Sequence, residues 1–297
     1  MVASTIVGSV AGIRRYPVKS MRGERLEQGE FTERGLIGDR AYALIDGDTG
    51  KVASAKSVRQ FPDLFGCSAV FVEPPQLDGE LPPVRITLPD GTSVSSDTSD
   101  VDRVLSAFFR RDVTLTRAAP DDFTIDQYHP DVKDADPAGH RDSVVEQKLG
   151  SAFFAQAGLP SPVPVGAFFD LFPVSVLTTS TLDQLTKLEP GSSFDERRFR
   201  MNVLVDTHKA GFVENSWIGH ELAIGDAVRF TIALPDPRCV MTTLAQDELP
   251  QDTGVLRSLV RHNRIQVGDA GLFPCVGVYA VVQTAGNLRT GDSVSLT

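Results

Sequence analysis

Cys239 is the residue whose type and setting are best suited to chemistry, and it lies in the segment 233–243, Ala-Leu-Pro-Asp-Pro-Arg-Cys-Val-Met-Thr-Thr. This segment follows a strand-like run, and Pro235 and Pro237 predict a rigid loop, because proline fixes φ and removes a backbone donor. Arg238 places a positive charge beside the thiol, which favours the thiolate. The pattern predicts either a nucleophile or a ligand for a soft metal, and leaves both open.

A second group of residues suits the binding of an anion. Lys19 and Ser20 follow Tyr16-Pro17 in a predicted loop, where two adjacent donors suit a phosphate or carboxylate. Arg40 stands where a glycine-punctuated turn enters a strand, either as a surface partner of Asp39 or as a second anion-binding cation. The run 196–202, Glu-Arg-Arg-Phe-Arg-Met-Asn, leads into a predicted strand and suggests a pocket for an anionic, hydrogen-bonding group, with a solvated loop as the alternative.

Other residues with chemical potential have plainer interpretations. Cys67 lies in an apolar strand and Cys275 precedes one, so we expect both to be core residues. His129 and His140 lie among carboxylates in an acidic, proline-broken segment. A metal site is conceivable there, but a solvated loop is favoured.

Composition excludes several classes of function. A formal net charge of -10 argues against general nucleic-acid binding, which needs a basic face. With 3 Cys and no Cys-x-x-Cys pair, we expect neither a disulfide framework nor structural zinc nor an iron–sulfur cluster. We find no signal-peptide or membrane-span pattern, so we predict a cytoplasmic protein that does not associate with membranes.

The elements that must position these residues are mostly short strands. The first 120 residues show strand and hairpin-turn patterns with one helix near 100–109, which suggests a small barrel or sandwich. We predict a β-rich α+β fold with a first domain at 1–120, an acidic loop or linker at 121–150 and a second domain at 151–297. Within the second domain we predict two helices, one near 180–185 with Ser180 as a possible N-cap and one at 254–265.

Five motifs occur in the order found in MOSC proteins: Tyr16-Pro-Val-Lys-Ser20, Gly38-Asp-Arg40, Phe199-Arg-Met-Asn202, Trp217 to Asp226, and Pro237-Arg-Cys-Val-Met-Thr-Thr243. The chain resembles the branch with an N-terminal β-barrel domain, which includes the mitochondrial amidoxime reducing component and bacterial relatives active on N-hydroxylated compounds. The resemblance implies an N-terminal β-barrel domain packed against a MOSC β-barrel domain.

The resemblance also implies a molybdenum cofactor (Mo-molybdopterin), lying in the cleft between the two domains. Cys239 matches the cysteine that supplies a thiolate to the metal, and a soft thiolate suits a metal already bound by sulfur. Lys19, Ser20 and Arg40 match the positions that hold the cofactor phosphate. The residues that match positions lining the pterin are Asp170, Arg200, Asn202 and Arg238.

The chain departs from the mitochondrial enzymes at three positions near this site. Leu171 and Phe172 replace polar residues, and Pro237 replaces a serine, so those pterin contacts do not carry over. We also expect no membrane anchor and no ferredoxin-like C-terminal domain. Electrons are therefore expected from a separate reductase or ferredoxin-like partner.

Three hypotheses for the function of the chain involve Cys239. The resemblance implies an oxidoreductase that reduces N-hydroxylated or N-oxide substrates by oxygen-atom transfer. The alternative is a protein that carries or delivers the cofactor, or sulfur, without turnover. A third hypothesis makes Cys239 a nucleophile activated by Arg238 with His262 as its base, although no local sequence places His262 near Cys239.

Overall fold

The computed structural model describes residues 4–297 and is 36% strand and 18% helix, which confirms the predicted β-rich α+β class. The elements of the first part are β1 (Thr5–Arg15), β2 (Glu24–Leu26), β3 (Gln28–Thr32), β4 (Gly35–Leu36), β5 (Tyr42–Asp46), β6 (Ser68–Phe71), β7 (Val84–Thr87), β8 (Ser93–Ser95), α1 (Val101–Phe109) and β9 (Val113–Arg117). The middle part contains β10 (Thr124–His129), β11 (Ser143–Lys148) and α2 (Ser151–Ala157). The last part contains β12 (Val174–Thr178), α3 (Thr179–Leu188), β13 (Val203–Thr207), β14 (Glu221–Ile224), β15 (Val228–Pro237), α4 (Gly254–His262), β16 (Arg264–Gln266), β17 (Leu272–Thr284), β18 (Gly286–Arg289) and β19 (Ser293–Leu296).

A closed barrel of seven strands forms the larger part of the molecule. Its strand order is β12-β13-β1-β19-β14-β15-β17, and pairing of β12 with β17 closes the ring. The strand β1 comes from the start of the chain, yet it lies between β13 and β19. Val10 and Ile13 of β1 are buried in the same core as Phe230 and Val278, and a register shift between Val10 and Gly12 lets both face inward. Burial of each such side chain contributes about 1.5–3 kcal/mol.

The residues that follow β4 in the first part form the N-terminal β-barrel domain around a second core, which includes Leu105 of helix α1. Its strands pair as β5-β9 and β6-β7-β8, and isolated bridges such as Val18–Tyr42 link these segments. The sheet β18-β3-β4 differs, because Phe31 and Leu288 are buried in the core of the seven-stranded barrel. Since β1 pairs with the seven-stranded barrel, the spatial boundary does not follow the chain, and the division at residue 120 stays a prediction.

The structure differs from the acidic loop or linker predicted for 121–150. Strands β10 and β11 form an antiparallel hairpin, with Thr124 opposite Lys148 and His129 opposite Ser143. Burial alternates along β10, where Ile125, Gln127 and His129 face inward. Two of the inward residues are polar, so the pattern of hydrophobic residues does not show the two-residue period of a strand.

The rigid loop predicted for 233–243 begins as strand, over residues 233–237. Strand β15 continues through both prolines, with Pro235 opposite Val278 and Pro237 opposite Cys275. The register shifts between these pairs, and a bulge is a position where a strand tolerates proline. Cys239 consequently lies two residues beyond the end of a central strand, directly before the short 3-10 helix Val240–Thr243.

One smaller prediction of local structure, the N-cap of the helix near 180–185, was also wrong. The N-cap of α3 is Thr178, whose hydroxyl accepts from the amide of Thr181, and Ser180 lies inside the helix. None of the helices described within 4–297 has the length and apolarity needed to cross a membrane.

Candidate functional site

A cavity of about 710 Å³ lies where the first part of the chain, the β10–β11 hairpin and the seven-stranded barrel meet. All eight residues that the sequence assigned to a site line this cavity: Lys19, Ser20, Arg40, Asp170, Arg200, Asn202, Arg238 and Cys239. They come from positions up to 220 residues apart (19 to 239). The fold therefore brings together the residues that sequence reasoning grouped, while their individual roles stay predictions.

The Cys239 backbone is held in place from behind. Its carbonyl oxygen accepts from the amide of Thr242 at 3.2 Å and from the Thr242 hydroxyl at 3.0 Å. Its half-buried side chain packs against a small apolar cluster that contains Ala55, Phe65 and Met241. The thiol thus stands on a fixed turn at the cavity surface.

Asp170 is an ionic bridge between two lysines. Lys56 Nζ lies 2.7 Å from Asp170 Oδ2, while Lys19 pairs with the other carboxylate oxygen and donates to the Phe168 carbonyl at 2.8 Å. Burial by itself would raise the pKa of Asp170, but the two ammonium groups hold it well below its usual range. Asp170 is therefore ionised at neutral pH.

The two lysines respond differently to this arrangement. Burial lowers the pKa of Lys19, and the attraction of Asp170 only partly opposes this effect. Burial also acts to lower the pKa of Lys56, but the attraction of Asp170 and of the Cys239 sulfur outweighs it, so this pKa is raised. Lys56 therefore places a persistent positive charge between the carboxylate and the thiol.

Arg40 and Arg200 enclose the ring of Tyr16. Their guanidinium carbons lie 4.5 Å and 4.2 Å from the ring centroid. Arg40 Nη2 donates to the Arg200 carbonyl at 3.0 Å, and Arg200 Nη1 donates to the Met21 carbonyl at 2.6 Å. Burial lowers the pKa of Arg200 to about 10, which leaves it charged at neutral pH.

Three of the cavity residues adopt left-handed backbone conformations: Ser20 at φ 65°, Arg40 at φ 48° and Arg200 at φ 56°. Such conformations are uncommon for residues other than glycine and cost on the order of 1–3 kcal/mol each. Surrounding contacts must hold them, and strain of this kind is concentrated at functional sites.

Asn202 has a complete set of protein partners and is 2% exposed. Its amide group donates to Asp39 Oδ2 at 2.9 Å and to the Arg14 carbonyl at 3.3 Å. Its carbonyl oxygen accepts from the amide and the hydroxyl of Ser175 at 3.1 and 3.2 Å. Since Asp39 also pairs with Arg40, Asn202 orients that arginine from behind.

Arg238 directs its guanidinium to neighbours other than the thiol. Nη1 lies 2.5 Å from Asp236 Oδ2, and Nη2 donates to the Phe199 carbonyl at 2.6 Å. Burial raises the pKa of Asp236 to about 6, and the attraction of Arg238 only partly offsets this rise. The cavity therefore contains one carboxyl group that gains or loses a proton near neutral pH.

Lys56, Asp236 and Tyr279 are among the cavity residues that sequence reasoning missed. The sequence around Lys56 does not indicate a role, because its role depends on contact with Asp170. Asp236 could have been found, since a carboxylate between two prolines and two residues before an arginine suggests a constrained ion pair. Tyr279 lies in β17, and nothing in the neighbouring sequence distinguishes it from an ordinary strand residue.

The three departures from the mitochondrial enzymes all line the cavity. Leu171, Phe172 and Pro237 present apolar surface to it, and the Phe172 ring stacks on Tyr279 at 5.3 Å with an interplanar angle of 22°. This part of the cavity is consequently an aromatic, weakly hydrogen-bonding surface.

The hypothesis of a Cys239 nucleophile with His262 as its base is wrong. His262, the last residue of helix α4, does not line the cavity, and its Nε2 lies 2.9 Å from Glu189 Oε1. The core assignment of Cys67 and Cys275 is confirmed, since both are buried and burial raises the pKa of each thiol to about 12.

The three arginines of the run 196–202 have different roles. Arg200 lines the cavity, whereas Arg197 pairs with Asp195 and Glu248 outside it. Arg198 is fully buried, and its guanidinium donates to the carbonyls of Ser193, Thr242, Leu244 and Pro250. It therefore anchors the segment that follows Cys239.

Comparison with known proteins assigns both halves of the chain. The MOSC N-terminal beta barrel domain matches residues 7–119, and the MOSC domain matches residues 166–295. The chain is 26% identical over 316 residues to mitochondrial amidoxime reducing component 2 of Bos taurus, which covers 97% of this chain and 83% of that protein. The same figures hold for the Homo sapiens protein of that name.

Among solved structures, the YUAD protein of Bacillus subtilis covers 100% of this chain and 98% of its own, with a TM-score of 0.45 and 11% identity. The names of the mammalian relatives include the word mitochondrial, so the cytoplasmic location stays a prediction. With the two domains present in order over most of its length, the chain belongs to the MOSC-domain proteins that carry an N-terminal MOSC β-barrel domain.

Proposed function

We propose that this chain binds a molybdenum cofactor in the cavity and reduces N-hydroxylated or N-oxide compounds with electrons from a separate redox partner. The observation that carries the proposal is the meeting of the Cys239 thiol with Lys19, Ser20 and Arg40 around one cavity. The relatives that match most of the chain are named amidoxime reducing components, which supports the substrate class.

The residues present fit such a group. Six basic side chains (Lys19, Arg40, Lys56, Lys148, Arg200, Arg238) and four acidic ones (Asp136, Glu146, Asp170, Asp236) line the cavity, although the whole chain has a formal net charge of -10. Excess positive charge around a half-buried thiol suits a ligand with an anionic phosphate at one end and a soft metal at the other. A volume of about 710 Å³ is that of an ordinary cofactor pocket.

Each residue has a definable task in this proposal. Cys239 would supply a sulfur ligand to the metal, and Lys19, Ser20 and Arg40 would hold the phosphate. Asp170, Arg200 and Arg238 would line the pterin, while Asn202, whose hydrogen bonds are all used within the protein, would keep Asp39 and Arg40 in position. When bound, the cofactor supplies the oxygen-atom transfer and the two-electron exchange.

The overall reaction also requires protons. Reduction of an N-hydroxyl group to an N–H group takes two electrons and two protons and releases water. The Asp236 carboxyl group lines the cavity and, with a pKa near 6, is in part protonated close to neutral pH. We assign Asp236 the role of holding one of these protons beside the Arg238–Cys239 segment.

A carrier function has one observation in its favour. The side chains of Leu171, Phe172 and Pro237 offer a bound pterin no hydrogen-bond donor, which would make it easier to release. A carrier would transfer its cofactor stoichiometrically to an acceptor enzyme and would show no turnover of its own.

Steady-state reduction of a benzamidoxime-type substrate tests the proposal. Cofactor-loaded protein with a reduced viologen as electron donor should form the amidine over many turnovers, and Cys239→Ala should lose this activity. His262→Ala is the matched control, because its ring lies outside the cavity, and it should retain activity. Absence of turnover in loaded protein, with release of cofactor to an apo-acceptor, would establish the carrier instead.

A further inference from the structure

The β10–β11 hairpin places three potential metal ligands on one wall of the cavity. His129, Asp136 and His140 each present a ligand atom, and these atoms lie within 4.8 Å of one another. Asp136 Oδ2 lies 2.6 Å from His140 Nδ1 and 3.7 Å from His129 Nδ1. One carboxylate oxygen thus stands between two imidazole nitrogens.

This cluster is separate from the machinery around Cys239. The hairpin spans residues 124–148, which lie between the two matched domain ranges, 7–119 and 166–295. None of the three residues pairs with Lys19, Arg40 or Arg238 within the described part of the chain. The domain matches therefore assign this cluster no role.

The cluster is held in shape by its surroundings. Asp136 accepts from the backbone amides of Ala138 and His140 at 3.3 and 3.1 Å, which fixes the carboxylate in the hairpin loop. The side chain of His129 is 8% exposed, whereas that of His140 remains 40% exposed. The site is therefore built on its inner side and accessible on its outer side.

Two glutamines complete the inner side. The amide nitrogens of Gln147 and Gln127 lie 3.3 and 3.5 Å from His129 Nε2. An amide that rotates by half a turn presents its oxygen instead, which accepts a hydrogen bond from Nε2–H and so keeps the proton on Nε2. This tautomer frees the Nδ1 lone pair, which faces Asp136. Metal-bound histidines are usually oriented by such a partner on the other ring nitrogen.

We propose that His129, Asp136 and His140 form a binding site for a divalent transition-metal ion of the zinc class, on the cavity wall that the β10–β11 hairpin provides. Two imidazoles and one carboxylate favour such an ion over Ca²⁺ or Mg²⁺, which prefer all-oxygen ligands. Three protein ligands leave one coordination position open toward the cavity, where water or a substrate atom can bind. A bound ion would also tie the loop between β10 and β11 to strand β10.

Titration of the full-length chain with Co²⁺, a spectroscopic substitute for Zn²⁺, tests this site. Cys239 is a competing ligand, so the titration is made on wild type and on Cys239→Ser. Both should bind one Co²⁺ at the hairpin with visible bands of a four- or five-coordinate ion, and Cys239→Ser should show no sulfur-to-cobalt charge-transfer band. His140→Ala and Asp136→Asn in the Cys239→Ser background should weaken binding at least about tenfold.

His220→Ala is the matched control, because it removes an exposed imidazole far from the hairpin in sequence, and binding should not change. His140 is partly exposed, so His140→Ala should fold, and circular dichroism checks this. The proposal is overturned if Cys239→Ser binds no Co²⁺, or if His140→Ala and Asp136→Asn bind it as tightly as their parent.

Discussion

Two walls of the cavity differ in construction. The cation wall consists of Lys19, Arg40, Lys56, Asp170 and Arg200. The hairpin wall consists of Gln127, His129, Asp136, His140 and Gln147. Residues of the cation wall belong to the two matched domains, whereas the hairpin wall lies between them. The same cavity therefore combines a side that lies within the two matched domain ranges and a side that lies between them.

The walls also differ in how tightly they are held. On the cation wall, Lys19 is 6% exposed, two arginines adopt left-handed backbone conformations, and charged groups are paired in a connected network. On the hairpin wall, His140 is 40% exposed, and the polar contacts are fewer and local. A pre-organised wall suits the binding of a fixed cofactor, while a more accessible wall suits an exchangeable ion or substrate.

Removal of one carboxylate from each wall should give the largest contrast. Asp170→Asn leaves Lys19 and Lys56 buried side by side without a counter-charge, so we expect a loss of about 3 kcal/mol in the free energy of unfolding. Asp136→Asn keeps the shape of a small, local network and should cost less than about 1 kcal/mol. Urea unfolding at pH 7 measures both values, and equal losses would remove the distinction between the walls.

The pH dependence gives the sign of the Asp170 contribution. Its pKa in the folded chain lies below the unfolded value of about 3.9. The stability that Asp170 provides is therefore present above pH ~4 and is lost as pH falls below it. The difference in stability between wild type and Asp170→Asn should accordingly shrink in acid.

The support behind Cys239 should show the next largest effect. Arg198→Ala removes a fully buried guanidinium from four backbone carbonyls, so we expect a loss of about 2–3 kcal/mol. Arg197→Ala, one residue earlier, removes partly exposed ion pairs and should cost less than about 1 kcal/mol. Thermal unfolding of the two variants separates these roles, and a larger loss in Arg197→Ala would contradict the anchoring role of Arg198.

The smallest effect concerns Asp236, whose charge the cavity disfavours. Its folded pKa, about 6, lies above the unfolded value of about 3.9, so its contribution to stability is full below pH ~4 and is lost as pH rises through 6. Asp236→Asn cannot ionise. The stability of wild type relative to this variant should fall by about 2 kcal/mol between pH 4 and pH 7. If this difference in stability does not vary with pH, the pKa of Asp236 is not raised in the folded chain.

Much of the fold and the membership of the site could be predicted from the sequence. Strand periodicity predicts the β-rich class, and the turn at Gly225 predicts the hairpin formed by β14 and β15. The apolar neighbours of Cys67 and Cys275 predict that both cysteines are buried. The resemblance to MOSC proteins then joined Lys19, Arg40 and Cys239, which no local pattern connects. All of them line one cavity.

The remaining features depend on contacts between distant segments. Pairing of β1 with β13 and β19 has no signal in β1 itself, and the ion pair of Lys56 with Asp170 exists only once the two halves meet. Strand β15 passes through two prolines because bulges accommodate them. The low strand propensity of proline predicts a loop at the same positions. The β10–β11 hairpin was missed because its inward positions are partly polar.

The most direct test of the account is the molybdenum and pterin content of purified wild type, Cys239→Ala and His262→Ala. Metal analysis and oxidation of bound pterin to a fluorescent product give both quantities per chain. We expect wild type and His262→Ala to contain molybdenum and pterin in equal amounts, and Cys239→Ala to lose molybdenum while the cation wall retains pterin. Unchanged molybdenum in Cys239→Ala would contradict the account.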